Sequence, residues 1–308
     1  MIRILFLIPE SDRLVDGNYL RFTNELLNND CEVFLCLVDS LALSRSQITA
    51  SGWNVTAPIN DGDPVPSLTI FTLDEFDIVW LFSLGQRNSF LDKFQMLYTV
   101  GKNVRFINSL DSIMHLKSKY FIASMPEIIR HPETHAGCDP EKLLTIIEES
   151  PRTWVVKPPA GSLGRDVFLL KPGNPNNRSI LRYLCGQNQD QYTLLQEYID
   201  EIENGETRVL FANGRIVGQY KRHAVNDHRT NLLQGAKSQP CSLTTEEVDY
   251  CMEIGTLLQT KGANFVGMDM AYPWVIEFNV INPGGLLTIN QLTGVDLAPG
   301  IIKQLGMT

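Results

Sequence analysis

The sequence predicts an α/β chain that opens on a parallel sheet and continues as an α+β, largely antiparallel body. Two observations predict this. A strand–helix–strand pattern fills the stretch up to Val38, and from Trp154 onward short apolar runs follow one another across tight turns such as Asn213-Gly214.

The opening run Ile2-Arg3-Ile4-Leu5-Phe6-Leu7-Ile8 is β-rich and ends at Pro9; Tyr19, Phe22, Leu26 and Leu27 then recur at helical spacing before a second strand at residues 31–38. This βαβ unit lacks the glycine fingerprint of dinucleotide-binding folds, because Pro9-Glu10-Ser11-Asp12 occupies the turn, so a nicotinamide cofactor is disfavoured. Residues 51–67, rich in Gly, Pro, Asn and Asp, read as an irregular surface excursion, followed by a buried strand at residues 76–82 and a helix at 88–100. A short strand at 104–109 leads into a helix over about 110–123, and the first domain boundary falls there. Strands are then expected at 154–157, 167–170, 193–199, 207–211 and 215–220. Thr244-x-x-Glu247 reads as a capping box, opening a helix that Gly262 ends.

Size and charge narrow the function. A chain of 308 residues exceeds one small core and suits two or three subdomains with a cleft between them. The net charge of -9 opposes binding to nucleic acid, whose phosphates recruit clustered Lys and Arg. Six cysteines without a CxxC pair read as reduced, cytosolic and structural. The apolar start carries Arg3 and is too short to span a bilayer, so a cytoplasmic protein without membrane attachment is expected.

The chemistry concentrates in Gly267-Met268-Asp269-Met270 and Val275-Ile276-Glu277-Phe278-Asn279, a hairpin turning near Pro273. Folded about that centre, Asp269 faces Glu277, and the period of two puts Asn279 on the same side. Two carboxylates and an amide oxygen suit Mg²⁺, a hard cation that completes its shell with water and phosphate; a half-exposed strand with polar residues outward is the plainer alternative. Lys157 ends the Trp154-Val155-Val156 strand, and Pro159-Ala160-Gly161-Ser162-Leu163-Gly164 is a small-residue turn that could close over phosphates or simply connect two strands. No GxxxxGK[ST] motif occurs, which excludes a P-loop NTPase. Residues 221–239 gather Lys221, Arg222, His223, His228, Arg229 and Lys237; they form either an anion clamp or a solvated loop, and Arg208 is open to the same two readings.

Together these pieces resemble the bacterial glutathione synthetase branch of the ATP-grasp superfamily, most strongly from Asn108 to Asp296. The resemblance implies an ATP-grasp fold behind a Rossmann-like pre-ATP-grasp domain: residues 1–118 on the substrate side, 119–200 as the lid or small subdomain, and 201–308 as the catalytic subdomain. It implies that Lys119 and Lys157 are the two nucleotide lysines, with Gly161, Ser162 and Gly164 in the phosphate flap. Gln196, Glu197, Tyr198 and Ile199 correspond to the adenine hinge, and Glu206 to a ribose contact. Arg208, Arg222, Arg229 and Asn231 correspond to catalytic groups on the phosphoryl and acyl moieties. Asp269, Glu277 and Asn279 would hold two magnesium ions, for which manganese could substitute. The implied reaction is ATP-dependent amide formation through an acyl phosphate, with γ-glutamylcysteine and glycine as the first substrates to consider, by a homo-oligomer.

Two segments depart from the family. Residues 83–90 replace a basic, proline-containing substrate segment and offer only Arg87 as a charge. Val280-Ile281-Asn282-Pro283-Gly284-Gly285 replaces a Ser-Pro-Thr type of acceptor loop, leaving Asn282, Gly284 and Gly285 as the groups facing the amine substrate. A ligase making another γ-glutamyl or short peptide is therefore the first alternative, and a nucleotide-binding regulator the second.

Overall fold

The computed structural model describes residues 1–125, 127–159, 166–223 and 237–307. Its elements form three sheets. The first is seven-stranded, built from β1 (Arg3–Ile8), β2 (Glu32–Leu37), β3 (Ala42–Ser44), β4 (Gln47–Val55), β5 (Thr69–Thr72), β6 (Ile78–Leu81) and β7 (Arg105–Ile107), with α1 (Tyr19–Asn28) and α2 (Phe90–Leu97) between its strands. β2, β1, β6 and β7 are parallel, as the βαβ opening predicts.

The excursion expected at residues 51–67 begins later than the composition suggested. β4 runs through Val55, antiparallel to β2, because the β2 edge satisfies its backbone. Gly52 belongs to the strand, where a Cβ would stand 2.1 Å from the Leu35 carbonyl oxygen. The single helix expected at 110–123 is two, α3 (Leu110–Leu116) and α4 (Lys119–Ala123), because Ser118 takes extended backbone between them.

The second sheet, in the order β10-β9-β11-β8, comprises β8 (Thr134–Gly137), β9 (Trp154–Lys157), β10 (Phe168–Leu170) and β11 (Thr193–Glu197), and α5 (Pro140–Glu148) and α6 (Asn177–Cys185) pack on it. Leu143, Ile147, Trp154, Val156, Leu170 and Leu181 give it a core of its own. The third sheet, β14-β13-β12-β15-β16, contains β12 (Glu206–Ala212), β13 (Arg215–His223), β14 (Lys237–Gln239), β15 (Phe265–Ala271) and β16 (Trp274–Asn279). Here β13 continues past Tyr220, and Lys221 to His223 pair with β14, so both ends of the basic 221–239 segment are ladder rather than loop; residues 224–236 lie outside the described set.

α7 (Thr245–Thr260) opens with the expected capping box, and α8 (Leu286–Thr293) and α9 (Ala298–Gln304) close the chain. The first and third sheets share two apolar cores. One joins Leu5, Val79 and Phe94 to Val209, Phe211 and Met268; the other joins Phe6, Phe22 and Trp80 to Leu210, Phe265 and Ile301. Buried Asn108 stitches the same junction, donating to the carbonyls of Phe265 (2.7 Å) and Val280 (2.6 Å) and accepting from the Phe265 amide (2.6 Å). All six cysteines are free thiols, and no helix among the described residues is long and apolar enough to cross a membrane.

Candidate active site

The β15–β16 hairpin fixes the site. Its register sets Asp269 opposite Glu277 and Gly267 opposite Asn279, and the Asn279 amide donates to Asp269 Oδ2 at 3.2 Å. Asp269, Glu277 and Asn279 therefore share one side of the hairpin, as alternation requires.

The neighbouring strands add cations. Arg208 of β12 stands in register with Asp269 and grips its carboxylate through Nε and Nη2, the latter at 2.8 Å. Gly267 permits that lie: a Cβ there would stand 3.2 Å from Arg208 Cδ and 2.8 Å from Pro283 Cβ. From β13, Arg222 Nη2 reaches Asp269 Oδ1 at 2.7 Å and Glu206 Oε2 at 2.8 Å. Burial works against these two guanidinium charges, and the carboxylates outweigh it, so both pKa values stay above the ordinary arginine value. Arg222 Nε is buried without a hydrogen-bond partner among the described residues. An unmatched donor beside a carboxylate that already serves two guanidiniums suits an additional anion such as a phosphate.

Two lysines approach from the other side. Lys119, at the start of α4, pairs with Glu277 Oε2 at 2.6 Å. Burial would raise the Glu277 carboxyl, but Lys119, then Lys157 and Arg208, hold it well below the ordinary glutamate value. Lys157, at the end of β9, donates to Gln196 Oε1 at 2.7 Å; burial and then the charge of Lys119 push its pKa down to about 8, against Glu277 and Glu206. The lysines thus face the hairpin carboxylates from two different elements.

The remaining predicted residues scatter more widely. Gln196 is buried in β11, Glu197 pairs with Arg152 Nε at 3.3 Å, the Tyr198 hydroxyl donates to Glu203, and Ile199 is buried just before the 3₁₀ turn at Asp200–Asn204. Glu206, expected at a ribose, meets Arg222 in this structure. Arg87 lies exposed in a short 3₁₀ turn, close enough for its charge to depress the pKa of Lys117, after burial and Lys119. Asn282 donates to Asp16 Oδ2 and accepts from the Asn18 amide, both at 2.6 Å, tying the 282–285 bend to the entry of α1. The Gly284 carbonyl accepts from Arg208 Nη1 at 3.1 Å, and Gly285 precedes α8. Gly161, Ser162, Gly164, Arg229 and Asn231 lie outside the described residues.

Sequence reasoning missed Asn108 and His131. A lone Asn in a short strand and a lone His in an aperiodic segment carry no motif, and their partners are remote in sequence. Among the described residues no cluster of three His, Cys, Asp or Glu forms; the hairpin offers two carboxylates and an amide, a hard-cation set rather than a transition-metal one.

Comparison with known proteins agrees with this geometry. Residues 118–294, more than half of the chain, match the family described as "Prokaryotic glutathione synthetase, ATP-grasp domain". The glutathione synthetase of Synechococcus elongatus is 26% identical over 66% of this chain and 62% of its own length, and that of Prochlorococcus marinus is 26% identical over 89% and 88%. Among solved structures, the D-cycloserine synthetase DcsG superposes with a TM-score of 0.66 at 15% identity, covering 98% of this chain and 99% of that one. A RimK domain ATP-grasp protein from Sphaerobacter thermophilus superposes at 0.65 and 14% identity, covering 98% of each. The fold is thus the ATP-grasp fold, and with the family match spanning both lysines and the whole hairpin, the chain belongs to the prokaryotic glutathione synthetase ATP-grasp family.

Proposed function

We propose that the chain is an ADP-forming ligase that joins a carboxylate to an amine. Bound MgATP would supply the γ-phosphoryl group that activates the carboxylate as an acyl phosphate; the amine displaces phosphate, forms the amide and gives up a proton. Asp269, Glu277 and Asn279 are the residues that would hold magnesium, in one or two ions. Lys119 and Lys157 bind the nucleotide phosphates, and Gln196 to Ile199 line the adenine side. Arg208 and Arg222 neutralise the charge that spreads over the transferring group, where positioning and electrostatics do most of the catalytic work. A cation held by Asp269 would take over part of the negative charge that pairs here with Arg208 and Arg222, and the two guanidiniums would then be available to phosphate.

The carrying observation is the meeting of Asp269, Glu277 and Asn279 on one side of a hairpin that Arg208, Arg222, Lys119 and Lys157 surround. The substrates that family membership puts first are γ-glutamylcysteine and glycine. The 282–285 bend, held by Asp16, Asn18 and Arg208, supports a different amine as the second reading.

The test is ADP release by purified protein with MgATP against a panel of carboxylates, each with and without amines, and with hydroxylamine to trap an acyl phosphate as hydroxamate. Amine-dependent ADP release with γ-glutamylcysteine and glycine supports the first reading. Release with another pair only moves the product, and ATP binding without turnover on any pair sinks the ligase assignment.

A further inference from the structure

Behind Lys157 runs a relay of hydrogen bonds through a residue that no motif marks. His131 Nδ1 lies 2.7 Å from the Val275 carbonyl oxygen, His131 Nε2 lies 3.0 Å from Gln196 Nε2, and Gln196 Oε1 accepts from Lys157 Nζ at 2.7 Å. The direction of the relay is fixed from both ends. A carbonyl oxygen only accepts, so Nδ1 carries the imidazole proton; an ammonium only donates, so Gln196 turns its oxygen to Lys157 and its NH₂ to His131 and to Thr134 Oγ1 (3.2 Å). His131 Nε2 is left as a bare acceptor, which requires the neutral ring. Burial gives that state, bringing the His131 pKa down to about 4 against the Val275 bond, with Lys157 and Lys119 adding to the depression.

The histidine is also anchored. Val275 N donates to the Arg130 carbonyl and Arg130 N donates to the Tyr250 hydroxyl, both at 2.8 Å, so the 130–131 segment takes its frame from β16 and α7. Gln196 and Lys157 belong to β11 and β9 of the four-stranded sheet. His131 therefore references the lysine to the strand that carries Glu277.

We propose that His131 is a positioning residue that locks the Gln196 amide in the orientation that aims the Lys157 ammonium at the nucleotide phosphates, and so sets nucleotide affinity. The inference rests on the reading of Lys157 as a nucleotide ligand.

Two replacements separate this role from a structural one. Glutamine at 131 can place an acceptor oxygen where Nε2 stood, whereas asparagine reaches only Val275. By titration calorimetry His131→Asn weakens MgADP binding about tenfold, about 1.4 kcal/mol. Its KM for ATP rises by a similar factor while kcat stays within about twofold of the parent, since loss of a contact kept in ground and transition states moves KM alone. His131→Gln stays within about twofold of the parent. The His131→Asn/Lys157→Met pair binds no more weakly than Lys157→Met alone, the non-additivity of one linked unit. Unchanged affinity in His131→Asn, or equal losses in the Asn and Gln variants with an additive double variant, overturns the proposal. Should Lys157→Met bind MgADP like the parent, the reading of Lys157 falls and the positioning role with it; a loss in Lys157→Met alone removes only His131.

Discussion

Trp80 and Trp154 are each 1% exposed, yet they sit in differently built regions. Trp80 packs on Phe6, Phe22 and Phe82 and, across the junction, on Phe265 with ring centroids 5.7 Å apart, so one apolar mass serves both the seven-stranded and the five-stranded sheet. Trp154 packs among residues of the four-stranded sheet and its own two helices. That sheet reaches the hairpin through Lys157, Gln196 and His131, a chain of directional hydrogen bonds rather than a shared apolar core. The carboxylates and arginines thus stand on a fused base, while Lys157, the lysine proposed to bind nucleotide, is carried by a separately cored piece.

The largest effect is expected at the chemistry of the fused part. Asp269→Asn keeps shape but removes the charge between Arg208 and Arg222. Turnover should fall by about three orders of magnitude, the upper range for one preorganised electrostatic group, with circular dichroism reporting a retained fold. A loss under tenfold would overturn the proposal that the hairpin holds the metal. Next in size, Phe265→Ala removes the ring that contacts Phe22 and Trp80 and should cost about 3–5 kcal/mol in urea unfolding. Its transition should shift for probes in β1 and in β15 together; separate midpoints would show that the two sheets are not one cooperative unit.

The separately cored part gives the smallest effect. Lys157 is held at about 8, so above that pH the free protein carries it neutral, and nucleotide phosphates should draw a proton back. Calorimetry near pH 8.5 in buffers of different ionisation enthalpy should show uptake of part of a proton, absent in Lys157→Met. Affinity should decline as pH rises through the same window. The effect on stability has the opposite sign: between about 8 and roughly 10.4 the unfolded chain holds more protons at this lysine than the folded one, so the folded form gains as pH rises.

How far the sequence reached follows from the range of the interactions. The Asp269–Glu277 pairing was legible because both residues lie on one hairpin and alternation decides their side. Arg208 against Asp269 was not, since the β12–β15 register joins residues 61 positions apart, and a bulge at Leu210/Phe211 shifts the β12–β13 register. β4 was cut short because Gly52 and Asn54 look like turn residues, whereas cross-strand pairing with β2 decides their conformation. The helix at 110–123 was read as one because its apolar spacing passes through Ser118 uninterrupted, yet the break there is what turns Lys119 toward Glu277. His131 and Asn108 act through carbonyls of remote strands, and one-dimensional spacing carries no trace of such partners.

The tether of Asn282 to Asp16 and Asn18 limits how the machinery can be moved. A fragment excised at residue 118, where the family match begins, would retain every charged group around Asp269 and the Arg208 bond to Gly284 but lose the ties of the bend after Asn279 to Asp16 and Asn18, with the Phe265 ring uncovered on its far side. Grafting this unit onto a different N-terminal domain would therefore require a replacement for both the amide clasp and the aromatic seat.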